Sequence, residues 1–292
     1  MALVQYSDSE DTDPEPQPPR KKPRQENANE KLPPLPAAFR DLYATNTRRS
    51  VHDDPSLHGG RKRVIPHVEG NWPTHIYLEW IPNRSELKVL EGILSKCNSR
   101  LGDEKLRMHS LLYSDLGVQL PLHISLSRPV VLRTEQKDSF LELLRHRVTH
   151  SGIQRFNVVP TSLYWVSNYE RTRWFLVLRV ERPEKDTLNR LLRISNESLA
   201  VFGQPPLYAP ASTAAQRESG AMREKHPSRP TVEEQDYSDC FHISLAWSLT
   251  EPSAEGKTRT MDVDLGAVRQ IEIPFDCVKA KIGNVVSSLP LK

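Results

Sequence analysis

Leu122-His123-Ile124-Ser125-Leu126 and Phe241-His242-Ile243-Ser244-Leu245 are near-copies of one pentapeptide. Polar and apolar residues alternate strictly in both, which is the period of a half-buried strand. Successive side chains of a strand point to opposite faces. His123 and Ser125 therefore share one face, and Leu122, Ile124 and Leu126 the other. The second copy repeats the pattern, with Trp247 extending its apolar face. Two such strands side by side put two imidazoles and two hydroxyls into one cleft. A single copy would suit a core histidine satisfied by its own serine; two near-identical copies favour a site. A third His-x-Ser triplet, His226-Pro227-Ser228, lies in a Pro-rich polar stretch where a central strand is disfavoured.

The 292-residue chain is 37% hydrophobic and 26% charged, with a formal net charge of +3. That length suits one large domain or two small ones. The charge neither demands nor excludes a polyanionic partner, because a local basic cleft can hide in a balanced total. Cys97, Cys240 and Cys277 stand apart without metal-ligand spacing, against a disulfide scaffold or a zinc site. A reducing compartment is expected, with neither metal nor cofactor. No apolar run is long enough to cross a bilayer, and the acidic, polar start does not read as a signal peptide, so no membrane partner is expected.

Residues 1–65 read as a disordered tail rich in Pro, Ser, Asp and Glu, with too little apolar surface to offset the entropy of ordering. Within it, Arg20-Lys21-Lys22-Pro23-Arg24 reads either as a nuclear import signal or as a solvated charge run. Residues 66–292 read as the folded domain. Strands are expected at Thr74 to Trp80, Leu122 to Leu126, Phe156 to Val159, Ser162 to Val166, Arg173 to Glu181, Phe241 to Leu245, Gln270 to Pro274 and Val278 to Ile282. Helices are expected at Arg84 to Arg100, at Thr134 to His146 with Thr134 as cap, and from Pro183 to about Ser198. Residues 203–236 read as a long flexible insertion ahead of the second His strand. This order suggests an α+β fold: two pseudo-symmetric lobes of antiparallel sheet and outer helices around one cleft.

Without a metal cluster or a cysteine nucleophile, paired imidazoles point to proton transfer. Histidine titrates near neutrality, so one ring can accept a proton while the other donates one. RNA suits this chemistry because its 2′-OH is a built-in nucleophile beside the phosphorus. In-line attack expels the 5′-oxygen and leaves a 2′,3′-cyclic phosphate, and the protein need only position groups and stabilise charge. Ser125 and Ser244 are placed to bond the non-bridging phosphate oxygens. Tyr237, just ahead of the second His strand, reads either as a base-stacking residue or as a packed loop tyrosine. Arg173, before a strong strand, is a candidate RNA contact. Lys281-Ile282-Gly283-Asn284 reads as a turn.

The hydrophobic-His-x-Ser-hydrophobic pair resembles the two-histidine (2H) phosphoesterases. The phrases LHISLSRP (122–129), NYERTRWFLVL (168–178), YSDCFHISLAW (237–247) and the C-terminal KIGNVVSSLPLK resemble, more closely, the eukaryotic U6 snRNA phosphodiesterase family. The resemblance implies a bilobal 2H fold, a nuclear location and metal-independent 3′-to-5′ exoribonuclease activity that trims the oligo(U) end of U6 snRNA. It implies that His123 and His242 are the catalytic pair, with His242 as base and His123 as acid. It also implies that Ser125 and Ser244 bind phosphate and that Tyr237 stacks on a nucleotide, although its spacing to His242 is one residue shorter than in some relatives. The expected partner is single-stranded U-rich RNA, and a monomer is expected. Two alternatives stay open: another 2H activity on small cyclic phosphodiesters, and a non-catalytic RNA-binding module.

Overall fold

The computed structural model describes residues 68–102, 106–168, 170–208 and 235–292. The N-terminal tail, its basic cluster and most of the 203–236 insertion lie outside the described residues. The elements are β1 (Asn71–Trp80), α1 (Arg84–Leu101), β2 (His109–Ser110), β3 (Leu122–Ser125), β4 (Val130–Arg133), α2 (Thr134–His150), β5 (Phe156–Val158), β6 (Pro160–Ser167), β7 (Trp174–Val180), α3 (Thr187–Ala200), β8 (His242–Ser248), α4 (Ala254–Met261), β9 (Ile273–Phe275), β10 (Cys277–Ile282) and β11 (Val285–Pro290).

One antiparallel sheet carries the order β11-β10-β1-β3-β8-β7-β6, with β4 on β1 and β2 on β8. The two lobes therefore meet where β3 lies beside β8, and these are the two His strands. The fold is α+β and bilobal, and the lobes share a sheet floor. Leu122, Ile124, Leu126, Phe241, Ile243 and Leu245 are buried almost completely. Their burial anchors both strands, each such side chain contributing roughly 1.5–3 kcal/mol. A one-residue slip would turn every histidine into the core, so the apolar set fixes which face shows imidazole.

The helices form for local reasons and pack by their apolar stripes. In α1, Asn83 caps the backbone N–H groups of Ser85 and Glu86, and Glu86 reaches back to the Asn83 N–H at 2.7 Å. Its Leu87, Leu90, Ile93 and Leu94 are buried, as their spacing predicts. Gly102, in the left-handed conformation, ends it. α2 packs on β11, β4, β1 and β10 as well as on α3, and α1 packs against α4 and β8. Among the described residues, no helix is long and apolar enough to cross a membrane.

Several boundaries differ from the sequence expectation. α2 runs on to His150, and Thr134 is its first helical residue rather than its cap. The Thr134 hydroxyl instead donates to the Gly70 carbonyl and accepts from the Trp72 indole. α3 starts at Thr187, because Pro183 to Asp186 form a turn closed by the Asp186 N–H on the Pro183 carbonyl. β4, β11 and α4 were not expected. α4 is short and depends on Ser253, whose Oγ accepts from the Gly256 N–H, and on the flank of α1.

Gly283 turns the chain between β10 and β11 with φ of 60°, as the turn reading of that tetrapeptide requires. A Cβ there would stand 2.7 Å from Trp72 Cε3. Gly283→Ala is therefore expected to lower unfolding free energy by at least about 1 kcal/mol, combining left-handed strain with the clash. Chemical denaturation checks it; an unchanged midpoint would contradict it.

Candidate active site

The helices cover the apolar face of the sheet, and the opposite face forms a polar groove. β3 and β8 pair through Ile124 and Ile243. Continuing that register one residue either way sets His123 abreast of Ser244 and Ser125 abreast of His242. The two imidazoles are then diagonal neighbours, about 7 Å apart at their Cβ atoms. They lie close enough for His242 to act electrostatically on His123.

His242 is held in one tautomer. Its Nδ1–H donates to the Cys240 carbonyl at 2.7 Å, which leaves Nε2 as the free acceptor. The same carbonyl accepts the Tyr208 hydroxyl at 3.0 Å, so it is fixed from two sides. Burial pulls the His242 imidazole below its ordinary value, against the opposing effect of the Cys240 bond. His123 is lowered too, first by the surrounding protein and then by His242. The residue as a whole remains solvent-exposed.

The lobe-one wall is built by β1 and β10. Tyr77 pairs with Ser125, Glu79 with His123, and His75 with Lys281. The His75 ring stacks on Tyr77 at 5.1 Å and meets His123 edge-on at 5.4 Å, while Tyr77 meets His123 at 5.6 Å. His75 Nε2 is hydrogen-bonded to Ser125 Oγ at 3.1 Å. Lys279 Nζ donates to Ser288 Oγ at 2.8 Å and lies 3.8 Å from Glu79.

The lobe-two wall carries Arg179, the register partner of His242. Its guanidinium lies over the Tyr164 ring at 4.9 Å and pairs with Asp239 at 3.1 Å. Tyr164 in turn meets His242 edge-on at 6.2 Å. Arg179 thus sets a cationic side chain beside His242.

Tyr237 stands at the start of the short turn that leads into β8. Its N–H donates to Asn189 Oδ1 at 2.9 Å, and its ring stacks on Tyr208 at 5.9 Å. Asn189 is buried, and its amide nitrogen also donates to Asp186, Asp236 and Ser238. One polar side chain in α3 therefore sets the backbone that presents Tyr237. Arg173 lies elsewhere: its N–H donates to Asn168 Oδ1 in the β6–β7 turn. It stands six positions along β7 from Arg179, about 20 Å at the rise of an extended strand. Strand register brings His123, His242, Ser125 and Ser244 together; Tyr237 stands in the turn ahead of β8, stacked on Tyr208, and Arg173 lies at the far end of the strand.

Sequence reading missed His75 and Arg179. The signal existed for His75, since alternation in Thr74 to Trp80 places it with Tyr77 and Glu79 on one face. Arg179 was hidden in a run read only as a strong strand. Among the described residues, no group of three or more His, Cys, Asp or Glu is arranged to hold a metal ion.

Comparison with known proteins bears on what this groove is. Residues 33–290 match the model of the HVSL family, described as an uncharacterised conserved protein. A Neurospora crassa protein named U6 snRNA phosphodiesterase 1 is 32% identical over 309 residues, covering 94% of this chain and 78% of its own length. The chain belongs to the U6 snRNA phosphodiesterase family. The family member of the same name in Homo sapiens is 25% identical over 272 residues, spanning 89% of this chain and 84% of its own. The solved structure of Kluyveromyces marxianus Usb1 shares the fold, with a TM-score of 0.55 at 15% identity over 75% of this chain and 98% of that one. A second structure of that protein, with uridine monophosphate, gives a TM-score of 0.54 at 17% identity. The family is thus fixed by sequence, and the fold shared with Usb1 by coordinates.

Proposed function

We propose that this member of the U6 snRNA phosphodiesterase family shortens the 3′ end of U-rich RNA, U6 snRNA above all, by 2′-OH attack on the last phosphodiester. The observation that carries the mechanism is the His242–Cys240 bond beside His123. With Nδ1 committed to the Cys240 carbonyl, His242 Nε2 faces the groove as a base and takes the 2′-OH proton. His123 gives a proton to the departing 5′-oxygen. The free groove holds both rings below their ordinary values, which suits the base. The bound phosphodiester anion raises His123 towards its charged form, which suits the acid. Ser125 and Ser244 bond the non-bridging oxygens, and the product is a 2′,3′-cyclic phosphate that a water can later open. The step needs no metal ion, and it takes place in the nucleus on a monomeric enzyme.

Tyr237 stacks on the base of the terminal nucleotide, held at the right height by Asn189. Tyr237→Ala is expected to raise KM for oligo(U) on the order of tenfold, the worth of one base–aromatic stack, with kcat changed less. Equal kinetic constants for the two proteins would contradict this role.

The test is digestion of a 5′-labelled oligo(U) RNA in EDTA with end-group analysis of the products. A ladder that shortens one nucleotide at a time from the 3′ end, carrying cyclic phosphate or its opened monophosphate, is the expected result. Internal cuts, or no cleavage, would reject it. Turnover of a mononucleotide 2′,3′-cyclic phosphate with none of oligo(U) would favour the small-substrate alternative.

A further inference from the structure

We propose that His75 is a positioning residue of this active site, acting on phosphate through Ser125. The inference rests on the reading of the groove as a phosphodiesterase site. A serine hydroxyl on an open groove floor rotates among three wells. Ser125 does not stand free: its Oγ is tied to His75 Nε2 at 3.1 Å. The register explains the reach. Tyr77 is the direct partner of Ser125, so His75 is the diagonal neighbour, within range of an imidazole but not of a short side chain.

The His75 ring is itself fixed. It stacks on Tyr77, meets His123 edge-on and, continuing the β1–β3 register, lies abreast of Ser127. Ser127 is locked in turn, since its Oγ accepts the Ile76 N–H at 2.9 Å and its own N–H reaches the Ile76 carbonyl. Ser125 therefore stands at the end of a chain of fixed groups, abreast of His242.

His75 is not a third acid or base. Burial, then the His123 and Lys281 charges, hold its imidazole down at about 3, so it stays neutral across the working range. A neutral ring beside the pair adds no competing proton. It also adds no charge to His123, which must itself become positive. Ser244 faces Val177 across the strand pair, so the two serines are held differently.

The experiment is a double-mutant cycle on the full chain, read as kcat and KM for oligo(U) RNA. His75→Phe keeps an aromatic ring against Tyr77 and removes the nitrogen that meets Ser125. It is expected to lower kcat/KM about tenfold, the scale of one neutral hydrogen bond, mainly in kcat. His75→Gln, whose amide reaches the Nε2 position, is expected to recover much of the loss. In a Ser125→Ala background, His75→Phe is expected to add nothing. Multiplying losses in the double variant, or wild-type kinetics for His75→Phe, would overturn the inference. If His75→Phe folds poorly, His75→Leu, which also removes the nitrogen, and its own cycle with Ser125→Ala decide it by the same criterion. An inactive wild-type protein in the same assay would instead reject the phosphodiesterase reading, so the two failures are distinguishable.

Discussion

His242→Ala is expected to lower the single-turnover rate on oligo(U) RNA by about a thousandfold or more, within the range that one positioned proton-transfer group supplies. His123→Ala is expected to lose a comparable factor. The two losses arise differently. Without His242 the 2′-OH keeps its proton and attacks poorly; without His123 the 5′-oxygen leaves as an unprotonated alkoxide. Because the groups act as a unit, the double variant is expected to lose far less than the product of the two factors. Binding of the oligo(U) RNA is expected to change only a few-fold, since the serines and Tyr237 remain. Folding is expected to survive, because both rings lie on the groove side while Ile124 and Ile243 hold the strands from beneath. Retained activity in both single variants, with wild-type melting, would remove the histidines from the chemistry.

Acidification is expected to destabilise the fold well above the carboxylate range. His75 has a folded value of about 3 against an ordinary 6.5. The unfolded chain takes up a proton at pH 5 that the folded protein refuses. Stability is therefore intact above about pH 6.5 and falls as pH drops towards 3. For His75 alone the loss between pH 7 and pH 5 is about 2 kcal/mol. His123 and His242 shift in the same direction and add to it. Urea unfolding at the two pH values measures the loss, and His75→Phe is expected to remove the His75 share. A midpoint that does not move between pH 7 and pH 5 would contradict the buried, neutral imidazole.

The centre of the candidate site was legible in the sequence because it rests on a period of two. Alternation in the two pentapeptides specified both the buried face and the groove face, and the same logic placed the α1 stripe. What escaped was set by tertiary context. β2 has only two residues, too few to show a period. β4 is a short apolar run directly before a helix. α4 carries an internal glycine and a weak apolar pattern, and it exists because α1 and β6 offer it a surface. Arg173, expected as an RNA contact from its place before a strand, lies at the opposite end of that strand from His242. Arg179, six residues on, is the arginine that register brings beside His242. Periodicity tells which face a residue shares but not which residue of the neighbouring strand it meets. That second fact places Ser125 by His242 and His75 by Ser125, and it comes only from pairing.

The most direct test of the account replaces one oxygen. Cleavage of an oligo(U) RNA is compared with that of the same RNA carrying a single 2′-deoxy sugar on the 5′ side of the terminal phosphodiester. The account predicts that removal of the last nucleotide stops at that linkage, while binding is retained. Release of the terminal nucleotide at an unchanged rate would show that another nucleophile attacks, and the two-imidazole mechanism would fall.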